Sequence, residues 1–368
     1  MKSVIDDLLP TDEPLACISA DGTAVLDSQI DRPNDSALLA GYAALVRARR
    51  LNDQAYALVR QGRLAVYPSS HGQEACQVAA ALALDDEDWL FPTYRDTAAV
   101  VARGVDPVEV FVLLKGDWHS GYDPRRHRVA PATTPLATQL LHAVGLAHAA
   151  QLRGEKTVAM ALCGDGATSE GDFHEALNFA AVFKTPVVFF VQNNEYAISV
   201  PLARQSVAPS LAHKGIGYGI PGQRVDGNDL AAVLSVLSSA VAKARAGGGP
   251  QLVEAHTYRM QAHTNADDAT RYRQDADVEA WLTRDPLTRI ETFLRAEGLL
   301  DDELAASITA EAEEMAGHIR GGLNTDVPPD YRHLFDHVYA QPTAQLQEQS
   351  AVVADELERD TTDPEADL

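Results

Sequence analysis

The stretch GDGATSEGDFHEALNFAAVFKTPVVFFVQNN, residues 164–194, decides the fold class of this chain. An apolar segment, TVAMALC (157–163), leads into it, and a second one, PVVFFV (186–191), lies near its end. The segment between them, GDFHEALNFAAVF (171–183), has the apolar spacing of a helix. Strands that are apolar on both faces and alternate with helices are typical of a parallel sheet covered on both sides. We therefore predict an α/β fold with a mostly parallel sheet and helices on both faces.

The same alternation continues on both sides of this stretch. It predicts helices over 35–62 and 137–154, a helix near 209–219, a short strand at 223–225, a long helix over 229–247 and a strand over 251–259. Ligands of such sheets bind beyond the carboxyl ends of the strands. The loops that we expect to form a site are therefore GDGAT (164–168), NNEYA (193–197), DGND (226–229) and MQAHTN (260–265).

We divide the chain into three regions. Residues 1–35 form an irregular N-terminal extension, with a small hairpin at Asp21 and Gly22. Residues 36–340 form the α/β domain. Residues 341–368 form an acidic tail with eight acids and one arginine, in which QLQEQSAVVADELERD is predicted to be a helix followed by a frayed polar end.

Composition and charge exclude several classes of protein. With 368 residues, 46% of them hydrophobic, the chain can bury a sizeable core. Its net charge of −23 argues against nucleic acid or an anionic membrane as a partner, because phosphate binding needs clustered Lys and Arg. The apolar runs are too short for a membrane span, and the three cysteines are too few and scattered for a disulfide framework. The start, MKSVIDDLLP, lacks a secretion-signal pattern, so we expect a cytoplasmic protein.

Asp165 and Asn194 follow the two strands of the opening stretch and lie 29 positions apart. One right-handed βαβ unit takes about 30 residues and brings both strand ends to the same edge of the sheet. A carboxylate and an amide oxygen, with a loop carbonyl nearby, suit Mg²⁺, which commonly completes its shell with phosphate oxygens and water. Gly164 and Gly166 would let the backbone approach a phosphate, and the next helix begins with free N–H groups. The pattern favours a metal–diphosphate site.

Other interpretations of these glycines fit less well. Gly171 follows Gly166 by five positions rather than three, so the stretch is not the GxGxxG of dinucleotide-binding folds. The chain contains no GxxxxGK[ST], which excludes a P-loop. Glycines and asparagines that only shape the turns at strand ends remain an alternative. A non-catalytic module that binds a Mg²⁺–nucleotide is another.

Taken together, these residues resemble a known cofactor signature. GDG followed after about thirty residues by NN is similar to the thiamine-diphosphate signature. NNEYAISVP (193–201) and SEGDFHEALNFAA (169–181) resemble the alpha subunit of the decarboxylating component of 2-oxo acid dehydrogenase complexes, the pyruvate and branched-chain kind. The resemblance covers roughly residues 36–340 and implies the diphosphate-binding module of the thiamine-diphosphate fold. It implies that Mg²⁺ is held by Asp165, Asn194 and the carbonyl of Tyr196, and that the diphosphate packs on Gly164, Gly166 and Ala167.

Two further segments resemble this family. FPTYRD (91–96) is similar to its Tyr-Arg pair, which implies that Tyr94 and Arg95 contact diphosphate oxygens through the forked donors of arginine. TTPLATQ (133–139) is similar to the segment along the middle of the cofactor, which implies that Leu136 supports the bent cofactor. In branched-chain relatives this segment also surrounds a potassium ion, whose ligands here would be Thr133, Pro135, Thr138 and Gln139. An ordinary helix N-terminus explains the segment almost as well.

The last match is YRMQAHTNADDATRYR (258–273), which resembles the loop that closes over the cofactor channel. The resemblance implies that Arg259 lies near the diphosphate. It also implies that His263 lies near the reaction centre, where we expect it to be catalytic as a proton donor.

The resemblance implies a thiamine-diphosphate-dependent oxidoreductase with Mg²⁺ and, in the potassium interpretation, K⁺. The expected reaction is oxidative decarboxylation of a 2-oxo acid, branched-chain (for example 3-methyl-2-oxobutanoate) or pyruvate, with transfer of the acyl group to lipoamide on an acyltransferase core. In this family a separate module activates the aminopyrimidine ring, and the chain shows no second α/β unit of that kind. A beta subunit is therefore expected to complete the site in an α₂β₂ heterotetramer. An acetoin dehydrogenase alpha subunit is the nearest alternative.

Overall fold

A parallel sheet forms the centre of the molecule. The computed structural model describes residues 6–116, 120–324 and 330–362, with the backbone alone at 361 and 362. The strands in these residues are β1 (Trp89–Phe91), β2 (Ala159–Gly164), β3 (Val187–Asn193), β4 (Tyr196–Ala197), β5 (Val200–Pro201), β6 (Gly222–Asp226) and β7 (Gln251–His256). Five of them form one sheet in the order β1–β2–β3–β7–β6, with every pairing parallel. The α/β prediction with a parallel sheet is confirmed.

Helices cover both faces of this sheet. They are α1 (Asp35–Arg60), α2 (Glu74–Leu82), α3 (Thr97–Ala102), α4 (Pro107–Lys115), α5 (Pro124–His127), α6 (Thr138–Leu152), α7 (Gly171–Phe183), α8 (Leu230–Lys243), α9 (Asp275–Leu282), α10 (Pro286–Ala296), α11 (Asp302–Leu323), α12 (His333–Asp336) and α13 (Ala344–Thr362). The chain runs in one direction from β1 to β3, passes to the edge strand β6, and returns to β7.

Alternate residues of each central strand belong to two separate cores. In β2, Ala161 and Cys163 pack with α6 and α7, whereas Met160 and Leu162 pack with α1, α2 and α8. All of these side chains are buried. Both faces of the strand must therefore be apolar, which is why the opening stretch contains an unbroken apolar run rather than an alternation.

Most predicted elements agree with the structure. The helices predicted over 35–62, 137–154 and 171–183 correspond to α1, α6 and α7. The helix near 209–219 is instead a 3₁₀ segment, Leu211–Tyr218, in which Gly215 and Gly217 come shortly before the left-handed Gly219. The strand predicted over 251–259 ends three residues earlier, at His256. Strand β1 was not predicted.

The two terminal predictions are confirmed where the structure describes them. The backbone N–H of Ser19 donates to the carbonyl of Thr23, which closes a small hairpin around Asp21 and Gly22. Helix α13 covers the helix predicted in the tail, whereas residues 1–5 and the predicted frayed end at 363–368 lie outside the described residues.

One helical segment, Leu230–Gly248, is long and apolar enough to cross a membrane by length and composition. It comprises α8 and the turn that follows, and 56% of its most apolar window is buried inside the protein. Its apolar residues pack on α2 and on β7, so the same composition is explained by its place in the core.

Candidate active site

A cavity of about 530 Å³ lies at the carboxyl ends of β1, β2, β3 and β7. Of the residues predicted for the site, its lining includes Tyr94, Arg95, Thr133, Leu136, Gly164, Asp165, Gly166, Ala167, Asn194, Tyr196, Arg259 and His263. Three residues of the predicted potassium group are not in the lining: Pro135, Thr138 and Gln139. The predicted loop DGND (226–229) is also absent from it, because Asp229 caps α8 and accepts the backbone N–H groups of Cys17 and Ile18.

Asp165 and Asn194 lie side by side at this edge of the sheet. Gly164 is the register partner of Gln192 across β2 and β3, so the two residues that follow the strands face the same cavity. The backbone of Asn194 lies close enough to the Asp165 carboxyl group to act against the rise in its pKa that burial causes. The neighbouring asparagine has another role, because Asn193 donates to Glu254 (2.8 Å) within the core. Of the asparagine pair, only the second faces the cavity.

The Asp165 carboxyl group is buried, and no cationic side chain in the described part of the chain bonds to it. Gln205 Nε2 donates to its Oδ2 at 2.7 Å, and burial raises the pKa of Asp165 above its usual value. The other atom of that amide, Gln205 Oε1, is buried and has no hydrogen-bond partner in the described part of the chain. A buried carboxylate next to an unpartnered amide oxygen fits a metal ion with bound water.

The two strand-end loops approach each other closely at Gly166. A Cβ atom at this position would lie 2.8 Å from the Cβ of Ala197, so no larger residue fits without a shift. A Cβ at Gly164 would meet no heavy atom within 4 Å, because that position opens on the cavity. The loop after β3 contains Glu195 and Ile198 in left-handed conformations, at φ of 70° and 56°. For a β-branched residue such as Ile198 this is strained, and such strain is concentrated at functional sites.

Two buried arginines face the cavity without a carboxylate partner. Arg95 donates to the carbonyls of Ser69 (2.8 Å) and His263 (3.1 Å). Arg259 donates to the carbonyl of Ile198 (2.7 Å) and makes a long contact of 3.4 Å with that of Tyr196. Among the described residues neither forms an ion pair, although Arg95 is only 5% and Arg259 only 1% exposed. Because buried charges normally require a counter-charge, the pair is suited to binding an anion.

His263 lies between these arginines. Arg95 Nη2 is 2.9 Å and Arg259 Nη1 is 3.4 Å from its Nδ1. A guanidinium group can only donate, so Nδ1 is the unprotonated nitrogen and the neutral ring carries its proton on Nε2. Burial and the two positive neighbours lower the pKa of His263 from 6.5 to about 4. Asp267 holds the loop in place by accepting the backbone N–H of His263 at 2.8 Å.

Tyr94 and Leu136 form apolar walls of the cavity. The ring of Tyr94 meets that of His263 edge to face, with centroids 6.1 Å apart, and the Arg95 guanidinium lies over the Tyr94 ring. Leu136 is 40% exposed, which is high for a leucine, and its exposed side faces the cavity. An apolar side chain presented in this way is suited to contact with the ring of a bound ligand.

The predicted potassium segment forms a polar turn before α6. Thr133 Oγ1 donates to Gln139 Oε1 at 3.0 Å, and the Gln139 amide donates to the carbonyl of Leu162 at 2.7 Å. Thr138 Oγ1 donates instead to Asp172 at 3.1 Å. The turn therefore presents several oxygens close together, and each is also engaged in the fold.

Three residues missed by the sequence analysis line the same site. Gln73, Asp96 and Gln192 are buried, polar and part of the lining. Gln73 Oε1 accepts the amide of Asn194 at 2.9 Å, across a separation of 121 residues. The only signal in the sequence was their position: Asp96 ends FPTYRD, and Gln192 directly precedes the asparagine pair.

Comparison with known proteins places the chain in a family. The family described as dehydrogenase E1 component matches residues 42–318. The 3-methyl-2-oxobutanoate dehydrogenase subunit alpha of Mycobacterium tuberculosis is 47% identical over 348 residues, which is 94% of this chain and 95% of the relative. The pyruvate dehydrogenase E1 component subunit alpha of Staphylococcus aureus is 36% identical over 325 residues, 88% of each chain. The chain therefore belongs to the dehydrogenase E1 component family.

Proposed function

We propose that this chain is the alpha subunit of a thiamine-diphosphate-dependent 2-oxo acid dehydrogenase, which decarboxylates a 2-oxo acid and passes the acyl group to a lipoyl group. The observation that carries the proposal is the cavity in which a buried carboxylate and an asparagine face two unpaired buried arginines. A divalent metal would supply the positive charge that the carboxylate lacks, and a diphosphate would supply the negative charge that the arginines lack. The names of the relatives support the same reaction class.

The metal ligands in this proposal are Asp165, Asn194 and the carbonyl of Tyr196. The described residues contain no group of three or more His, Cys, Asp or Glu side chains that could hold a metal. One carboxylate with two neutral oxygens is a weak cage by itself, and Mg²⁺ usually completes its shell with substrate phosphates and water. Binding of Mg²⁺ should therefore depend on the diphosphate.

The diphosphate would lie between the metal and the arginines. Arg95 and Arg259 would each exchange a carbonyl or histidine partner for phosphate oxygens, with Tyr94 at the side. Gly164, Gly166 and Ala167 would pack on it, since Gly164 leaves open space on the cavity and Gly166 lets its loop lie close against Ala197. Leu136 would support the body of the cofactor. The bound thiazolium supplies the electron sink that decarboxylation of a 2-oxo acid requires.

His263 is the proposed proton donor. Its neutral ring carries the proton on Nε2, while Nδ1 is held by the arginines. Once a diphosphate pairs with those arginines, they lower the pKa of His263 less, and its value moves toward the range useful for acid–base catalysis. The histidine thus donates a proton from a fixed position at the entrance to the reaction centre.

Residues 36–340 would form the cofactor-binding domain, between an N-terminal extension and an acidic tail. The described residues of the domain form one parallel sheet, and by the family resemblance the group that activates the aminopyrimidine ring would come from a beta subunit in an α₂β₂ assembly. The lipoyl acceptor would belong to an acyltransferase core. The three cysteines are free and buried, which supports a reducing compartment such as the cytoplasm.

A branched-chain 2-oxo acid is the proposed substrate. A second cavity of about 250 Å³ shares Val66, Thr93, Tyr94, Leu114 and Thr134 with the first. The rest of its wall is mostly apolar, with Val100, Val110, Leu113, Tyr122 and Ala132. An apolar side cavity next to the reaction centre favours a substrate with an apolar side chain over pyruvate or acetoin. Potassium at Thr133, Pro135, Thr138 and Gln139 would brace the adjoining turn.

Two experiments test the proposal. Titration of the chain with thiamine diphosphate and with ATP, each with Mg²⁺, distinguishes the cofactor from a nucleotide. We expect heat of binding with thiamine diphosphate and none with ATP, and the opposite result would contradict the proposal.

The second experiment uses the chain co-expressed with its beta subunit, which should transfer acyl groups to a lipoyl domain faster from 3-methyl-2-oxobutanoate than from pyruvate. Preference for pyruvate or acetoin would correct the substrate but not the reaction class.

A further inference from the structure

A buried chain of amide groups leads from the proposed metal ligand to a carboxylate below it. Asn194 Nδ2 donates to Gln73 Oε1 (2.9 Å), and Gln73 Nε2 donates to Gln192 Oε1 (3.1 Å). Gln192 Nε2 then donates to Asp96 Oδ1 at 2.7 Å. All of these side chains are at most 5% exposed. We name Asp96, Gln192 and Gln73 the amide relay.

Asp96, at the end of the amide relay away from Asn194, fixes which group donates and which accepts in every bond of the relay. Asp96 Oδ2 accepts both the backbone N–H and the hydroxyl of Thr93, at 2.8 and 2.7 Å. A carboxylate that already receives these donors can only accept from Gln192, so the NH₂ group of Gln192 must face it. The oxygen of Gln192 then faces Gln73, and the oxygen of Gln73 faces Asn194. The NH₂ group of Asn194 is directed inward as a result.

The orientation of Asn194 decides whether it can hold a cation. With the NH₂ group engaged by Gln73, Oδ1 is the atom left for the cavity, apart from a long contact of 3.3 Å from the N–H of Tyr196. The opposite orientation would present two N–H donors to the metal, which repel it. An asparagine free to rotate would have no such preference, since the oxygen and the NH₂ group of its amide are nearly the same size.

We propose that Asp96, Gln192 and Gln73 are positioning residues, which fix the polarity of the Asn194 amide so that its oxygen faces the metal. The proposal rests on the proposed function, in which Asn194 is a metal ligand. Outer-shell partners of metal ligands typically contribute 10–100-fold to metal affinity. The amide relay is the outer shell of Asn194, and it reaches Asp96, which bonds to no proposed ligand.

The relay makes an unusual prediction for Asp96→Asn. The new amide must keep its oxygen toward the N–H of Thr93, so its NH₂ group faces Gln192 and reverses that side chain. Gln73 and Asn194 must then reverse in turn, and the Asn194 NH₂ group faces the metal. The Mg²⁺ concentration that half-saturates thiamine-diphosphate binding should rise about 10–100-fold. Gln73→Glu alone should leave that concentration near the wild-type value, because the new carboxylate still accepts the NH₂ group of Asn194, but it should lower the melting temperature, because the carboxylate meets the oxygen of Gln192.

The double variant Gln73→Glu/Asp96→Asn should bring the half-saturating Mg²⁺ concentration back to within about threefold of the wild-type value. That difference is well below the outer-shell effect. In it the amide introduced by Asp96→Asn donates to the oxygen of Gln192. The NH₂ group of Gln192 then donates to the carboxylate introduced by Gln73→Glu, which again accepts from Asn194 with no conflict. The net charge of the chain also stays unchanged. A role in packing alone predicts that two buried substitutions are at least as harmful as one.

The measurement is calorimetric titration of thiamine diphosphate at a series of Mg²⁺ concentrations, on the chain assembled with its beta subunit. The melting temperature without metal or cofactor reports whether each variant is folded. A double variant that binds as weakly as Asp96→Asn, or Asp96→Asn with an unchanged half-saturating Mg²⁺ concentration, would overturn the relay. If a single variant does not fold, restored binding in the double variant still decides the question. Absence of Mg²⁺-dependent binding in the wild type would instead contradict the proposed function.

Discussion

The two sides of the cavity are held in place by different means. The side proposed to bind the metal, here called the metal side, is formed by Asp165 and Asn194. It rests on the ends of two central strands and on neutral amides that are largely paired. The loop side, formed by Arg259 and His263 after β7, is held by the buried cations Arg95 and Arg259, which within the described ranges bond only to neutral groups. The metal side is therefore close to its final arrangement, whereas the loop side carries charge that awaits an anion.

This difference indicates how binding energy is distributed. Sheet ends and paired amides cost little to order when a ligand arrives, because they are ordered already. Two guanidinium groups without counter-ions destabilise the free protein, and an anion that pairs with them relieves that cost on binding. Substitutions on the metal side should abolish binding, while those on the loop side should change the rate or the response to an anion.

Asp165→Ala should have the largest effect. It removes the only proposed anionic metal ligand, so Mg²⁺-dependent binding of thiamine diphosphate should weaken by more than about 100-fold, the upper end of outer-shell effects. Calorimetry on the assembled protein measures this loss. Glu170→Ala is the control, because Glu170 is exposed on the same connection and outside the cavity lining. Equal binding by both variants would remove Asp165 from the metal site.

His263→Ala should slow the reaction without removing the cofactor. A positioned general acid contributes about 10²–10⁴-fold, so acylation of a lipoyl domain should slow by that factor. Cofactor affinity should stay within about threefold of the wild type, a small effect beside the catalytic factor. His318→Ala, which removes an exposed histidine paired with Asp106, is the control. Unchanged lipoyl acylation would refute the role of His263.

The metal side was predictable from the sequence because it follows from two strong regularities. Apolar runs located β2 and β3, and the βαβ crossover then required Asp165 and Asn194 to share one edge. Strand β1 was missed because a run of three residues, WLF, carries no periodicity. Tyr94 and Arg95, which follow β1, were therefore found only through the family resemblance.

The amide relay could not be predicted, for a different physical reason. Gln73 is the residue before α2, and Gln192 is near the end of β3, so their contact depends on how that helix packs on the sheet. Nothing local in the sequence marks a glutamine as buried, since this residue type is usually exposed. The predicted loop DGND (226–229) shows the reverse error, because Asp229 caps α8 and binds the backbone of the N-terminal extension, while Asp226 pairs with Arg289.

Inorganic pyrophosphate with Mg²⁺ should stabilise the protein even without the thiamine rings. A ligand at 100 times its Kd adds about 2.7 kcal/mol to the free energy of unfolding, which a thermal melt detects. Arg259→Lys should weaken pyrophosphate binding about tenfold, or about 1.4 kcal/mol, because lysine lacks the forked donors. Arg103→Lys is the control, since Arg103 also bonds to carbonyls but lies outside the cavity. Equal stabilisation of both variants would place the anion elsewhere.

The smallest effect is a change in the titration of His263. In the free protein its pKa is about 4, against 6.5 for an unperturbed histidine, so the unfolded chain binds more protons between these values. The contribution of this group to stability therefore falls as the pH drops from 6.5 toward 4. Pyrophosphate should pair with Arg95 and Arg259, the two charges that lower this pKa together with burial, and should move it upward. NMR of the ring protons measures the pKa in both states, and the same value with and without pyrophosphate would mean that the arginines do not bind it.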